Sequence, residues 1–167
     1  MTAWFARVGL PLAEEETAAI GELTRIVALP VPVVVTVLAT WQEAAAFVRA
    51  VEHDATWWDQ EEEEREALWI RATEHRTETE LFEHLNAMTG VLDAEVRAAA
   101  FAAAKAAGAA DMAIAIEATG MALLAAQQST LAGIAGAGSD HRFVRKYALF
   151  TGGRWPLGYH SARFVIF

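Results

Sequence analysis

Residues 110–135 constrain the fold more than any other stretch. They are mostly alanine, apolar on nearly every face, and free of proline. A helix that is apolar all round is a buried helix, so this segment is expected to form the centre of a helical core. It carries Asp111, Glu117 and a polar knot, Gln127-Gln128-Ser129-Thr130. At helical spacing Glu117 lines up with Ile114, Met121, Leu124 and Gln128. A carboxylate buried in such company is paired, hydrogen-bonded or protonated. We expect it to meet an arginine or lysine between Arg142 and Arg163. A raised pKa, suited to general acid–base work, makes Glu117 a weak catalytic candidate. The remaining reading places it on one wet face.

The run from 112 to 134 is long enough to span a bilayer. Glu117, the polar knot and the lack of cationic or aromatic flanks argue instead for a buried helix. The chain has 167 residues, which suits a single domain. Three portions are expected within it: an N-terminal α/β portion (1–53), a helical portion (54–138) and a C-terminal hairpin (139–167). Cysteine is absent, which excludes disulfides, thiolate zinc sites and a cysteine nucleophile. The N-terminus lacks the basic and apolar pattern of a signal peptide. Both features fit a cytoplasmic bacterial protein.

The net charge of −9 is unevenly placed. Residues 43–83 hold thirteen acidic side chains and four basic ones, which accounts for all of it. From Ser139 onward five cations, Arg142, Arg145, Lys146, Arg154 and Arg163, face only Asp140. Such an acidic body argues against nucleic acid as a partner and favours a basic protein.

Taken in order, the chain suggests β-α-β-α over its first fifty residues. Residues 3–10 alternate around Trp4, Ala6, Val8 and Leu10, as a short strand would. Glu14, Glu15 and Glu16 then suit the first turn of a helix. Residues 31–39 are β-branched and flanked by prolines, and are expected to form a buried strand. The rival reading makes residues 33–51 one helix. If the two strands share a sheet in parallel, the crossover is expected to be right-handed. Thr40-Trp41-Gln42-Glu43 matches a capping box at the start of the next helix.

Thr56 is positioned to cap a long acidic helix. Leu68, Ala72, His75, Thr79 and Phe82 share one face of it, with Leu81, Leu85 and Met88 widening that face. Thr77-Glu78-Thr79-Glu80 can restart a helix. Gly90 is expected to stop it, Asp93 to cap the next, and Gly108 to end that one. Residues 143–150 alternate as a strand would, and Gly152-Gly153 suits a hairpin turn, with a second turn at Pro156 and Gly158. The terminus, Phe-Val-Ile-Phe, is expected to be paired and buried.

No motif assigns a chemistry. His75, Glu78, Glu80 and His84 lack the spacing of helical metal sites, so no metal and no cofactor is expected. His75 sits in the apolar stripe and is the second weak catalytic candidate. Ser139-Asp140-His141 holds the residue types of a hydrolytic triad, but consecutive residues do not converge as a triad must. The glycines at 133, 136 and 138 follow a helix instead of opening one, so they end it and cradle no phosphate.

Trp57 and Trp58 border Glu61, Glu62, Glu63 and Glu66. Tryptophan is enriched in binding hot spots, so this acidic, tryptophan-edged helix is the expected protein-binding face. Its partner would be a basic protein, or a second copy in a homo-oligomer. Small, acidic, cysteine-free helical chains are the common form of bacterial toxin-neutralising immunity proteins. The chain resembles that class in composition alone, and the resemblance assigns no residue. The resulting fold class is helix-dominated α+β: about five helices, a short N-terminal β-α-β-α portion and a C-terminal β-hairpin. The function expected is a non-catalytic interaction module; the alternative is a small-molecule site or enzyme around Glu117.

Overall fold

The computed structural model describes residues 2–27, 29, 33–50 and 55–167. In chain order the elements are α1 (Glu14–Ile26), β1 (Val34–Val37), α2 (Trp41–Ala50), α3 (Ala55–Ala72), α4 (Glu78–Ala106), α5 (Ala113–Ile134), α6 (Arg142–Thr151), β2 (Pro156–His160) and β3 (Arg163–Ile166). The fold is α+β and dominated by helix. Its one sheet among the described residues has the order β1-β3-β2.

Local signals explain most helix boundaries. The Glu43 amide donates to Thr40 Oγ1 (3.1 Å), while the Glu43 carboxylate accepts from the Ala39 amide (2.8 Å). Thr77 and Glu80 form a reciprocal capping box at the start of α4. The restart expected there is real, and it separates α3 from α4. The Asp111 carboxylate accepts from the Ala113 amide at the head of α5. Arg71 donates to the Ala135 carbonyl at its tail (2.7 Å).

Gly90 does not stop α4, which continues through it for 29 residues to Ala106. A mid-helix glycine costs only about 1 kcal/mol against alanine. Burial of Leu81 and Leu85 before it, and of Val96, Ala100 and Ala104 after it, outweighs that cost. Asp93 consequently caps nothing and pairs with Arg97 one turn on. Gly108, at φ +67°, does end the helix.

Both ends of the chain depart from the expected pairing. Residues 4–9 form turns where a strand over 3–10 is expected, with Phe5 at φ 56°. Trp4 and Phe5 are both buried, which a two-sided strand exposed on one face does not permit. β1 pairs in parallel not with them but with β3, in the register Val34↔Arg163 to Val37↔Ile166. Residues 31 and 32 of the expected strand lie outside the described residues, as do Glu52 at the expected end of α2 and the side chain of Thr56.

Residues 143–150 lie in helix α6, and Gly152 is its C-cap, not a hairpin turn. The hairpin is β2–β3, turning at Ser161 and Ala162, both at positive φ. Pro156 and Gly158 lie within β2. Gly158 has φ +103°, and a Cβ there would lie 3.1 Å from the Trp57 indole nitrogen. The terminus is buried as expected: Phe167 is 1 % exposed, and its amide and carbonyl pair with those of Trp155.

The main core joins Trp4, Phe5, Trp41, Phe150, Trp155 and Phe167 to the alanine faces of α4 and α5. Trp41 meets Phe167 edge-on at 5.2 Å between ring centres. Alanine on both helices permits close approach of their backbones. α5 is not buried on every side, however. Ile116 is 54 % exposed, and Glu117, Gly120 and Leu124 lie on the same open stripe.

Candidate interaction surface

Helix α3 sorts its acidic residues by face. Trp57, Glu61, Leu68 and Ala72 recur at helical spacing and point inward. Asp59, Glu62, Glu63, Glu66 and Ile70 point outward.

Glu61 is 2 % exposed and sits between two cations of α6. Lys146 Nζ donates to both carboxylate oxygens, at 2.8 and 2.9 Å. Arg142, one turn earlier, reaches the same carboxylate at 3.4 Å and Glu64 at 3.3 Å. The Arg142 guanidinium also stands 4.5 Å from the centre of the Trp57 ring. Burial pushes the Lys146 ammonium below its ordinary pKa, opposed by Glu61. His141 caps α6 by accepting from the Phe143 amide through Nδ1 (3.2 Å). Burial lowers its pKa too, against the pull of Glu64.

Trp57 and Glu61, both expected on a binding face, are therefore spent on the core. Turned outward, Glu61 would leave two buried cations without their shared carboxylate, so the helix turns it inward. Trp58 is half-buried and lines a cavity with Glu117 and Met121. Glu62, Glu63 and Glu66 are exposed as expected. Glu62 pairs with Arg65, whose guanidinium holds the carboxyl below its usual range. Glu63 and Glu66 have no ion pair among the described residues.

The outward acids continue into an apolar surface that the sequence reading missed. Trp69 and Ile70 follow Glu66 on α3, and Phe82 rises opposite them from α4. Ile70 is 66 % exposed and Phe82 63 %. Between α3, α4 and α5 lies a groove of about 280 Å³, walled by Trp69, Phe82, Leu85 and Leu124 and crossed by Arg65. Gln127 and Gln128 give it a polar base. Gln127 donates to Thr89 (2.8 Å), whereas Gln128 Oε1 is buried with no donor.

The sequence hides this groove because an unbroken helix puts Phe82 in phase with Leu68. The break at residues 73–77 resets that phase, so Leu81 and Leu85 turn inward and Phe82 outward. The capping box at Thr77 carried the signal.

Glu117 is exposed and forms no ion pair among the described residues, so the expected link to the C-terminal cations is not made. Arg142 and Lys146 meet Glu61 instead, Arg145 meets Glu22 and Arg154 meets Glu16. The helix phase puts Glu117 with Ile116 and Gly120 on the exposed stripe of α5, at the edge of a cavity that Trp58 and Met121 also line. His75 is exposed in the turn after α3, and the cavity beside Glu117 does not include it. Glu80 serves Thr77, and no group of three metal-ligating side chains occurs among the described residues. Asp140 pairs with Arg145. No helix of the described residues is long and apolar enough to cross a membrane.

No family model, curated protein or solved structure matches the chain.

Proposed function

We propose that the protein is a non-catalytic interaction module that binds a basic protein partner through the outward face of α3 and the adjoining groove. One observation carries the reading: Glu62, Glu63 and Glu66 run directly into exposed Ile70 and Phe82, with half-buried Trp69 beside them. Isolated exposed apolar residues are ordinary, but a contiguous patch rimmed by charge is a signature of interaction sites. The fitting occupant is a basic amphipathic helix, with apolar anchors in the groove and lysines over the carboxylates. A bacterial cytoplasmic role of the immunity-protein kind is consistent with this chemistry.

A synthetic helical peptide with leucines on one face and lysines on its flanks tests it by fluorescence anisotropy. Binding should weaken as salt rises and fall by about tenfold or more in Phe82→Ser or in Glu62→Lys/Glu66→Lys. A peptide with glutamine for lysine should bind more weakly. Unchanged affinity in both variants overturns the reading.

A further inference from the structure

A second cavity lies nearer the start of α3 and shares no residue with the groove. It has a volume of about 330 Å³ and is bordered by α2, α3, α5 and β2. Phe47, Trp58 and Trp155 supply aromatic surface, Val48, Met121 and Leu157 aliphatic surface. Its single formally charged lining residue, among those described, is Glu117. Trp155 is fully buried, and its indole N–H has no acceptor.

We propose that this cavity binds a small organic ammonium ion with an aromatic body. The inference stands apart from the protein-binding reading. Each alternative class fits less well. An anion meets Glu117 and a protein of net charge −9. A metal ion finds one carboxylate where hard cations take six or more oxygen ligands. A purely apolar molecule leaves the Glu117 carboxylate unpaired beside it. An ammonium group answers that carboxylate, and aromatic rings favour a cation near them. The apolar walls cover the body of the ligand. By the ~30 Å³ that one liquid water occupies, the cavity takes about ten non-hydrogen atoms. Apolar clefts of this size with one or two polar groups are the usual form of small-ligand sites.

The probe is 4-hydroxyphenethylammonium, which has an ammonium group, one ring and a phenol oxygen. Its neutral counterpart is 4-(2-hydroxyethyl)phenol. Saturable binding of the ammonium is expected by calorimetry and tryptophan fluorescence. The neutral counterpart should bind about tenfold more weakly, and Glu117→Gln should lose a similar factor for the ammonium alone. Glu14→Gln makes the same change in net charge at an exposed site on α1 and should leave binding unaltered. Met121→Trp should abolish it by filling the cavity. Absence of saturable binding in the wild type overturns the proposal. So does equal binding of the two probes, or of wild type and Glu117→Gln. The peptide assay above uses other residues, so failure of one proposal leaves the other standing.

Discussion

Glu61 and Glu16 are both inward carboxylates that answer cations from the last third of the chain, yet they hold the fold differently. Glu61 takes both of its cations, Arg142 and Lys146, from one turn of one helix. It fastens α3 to α6 as a rigid pair, with all three side chains buried. Glu16 gathers three separate segments. It accepts from Arg154 at 2.8 and 2.9 Å, from Arg7 at 2.6 Å and from the Ala13 amide at 2.7 Å. Arg154 goes on to donate to the carbonyls of Leu10 and Pro11. The first is a helix-to-helix clamp; the second organises an irregular loop whose backbone would otherwise lack partners. The clamp depends on the balance of buried charge, the knot on the number of hydrogen bonds.

Breaking the clamp should have the largest effect. Glu61→Ala leaves two buried cations facing each other and should cost about 3–5 kcal/mol in urea unfolding. Replacing Glu61 and Lys146 together by methionine should recover much of that loss, because no lysine then remains unpaired. Failure to recover would mean that packing, not charge, holds α3 to α6.

Breaking the knot comes next. Arg154→Met removes its pair with Glu16 and leaves two carbonyls without their donor, for a loss of about 3 kcal/mol. The knot also titrates. Chiefly through its hydrogen bonds with Arg154, the Glu16 carboxyl is held down at about 2, from an ordinary 4.5. Its contribution is complete above the ordinary value and is lost as pH falls towards 2, since the unfolded chain takes up the proton first. Acid unfolding of Glu16→Gln should be flatter across that window.

His141 separates the clamp from the knot at milder pH. Its folded pKa lies below the ordinary 6.5, so its cap is complete above that value. Stability should decline as pH falls below 6.5, until the folded imidazole itself is protonated. His141→Asn retains a capping acceptor and should remove this slope. The smallest effects belong to the outer surface. Thr77→Ala should cost about 1 kcal/mol through the lost cap. Glu63→Gln, an outward acid on the same helix as Glu61, should fall within about 0.5 kcal/mol of wild type.

Alternation misled at residues 143–150 because two periods fit the same residues. Phe143, Lys146, Leu149 and Phe150 are all buried, at spacings of three and four, and the helix wins by giving Arg142 and Lys146 a common face for Glu61. Of the expected binding residues, Glu62, Glu63 and Glu66 lie outside as the charge pattern indicated. The apolar half of the surface joins Trp69 and Ile70 of α3 to Phe82 of α4, and the outward turn of Phe82 depended on a phase reset.

The sequence by itself determined the helix-dominated α+β class, the breaks at Thr77 and Gly108, the cap at Thr40 and the burial of the last residues. Each rests on interactions within a few positions of chain or on bulk apolarity. Tertiary structure alone decided that β1 joins β3, that Glu61 lies inside, and that Glu117 lies in the open. An apolar helix states how much of itself can be buried, but only its neighbours decide which side they cover. A row of glutamates likewise states a charge, and only the placement of Arg142 and Lys146 selects which one turns inward.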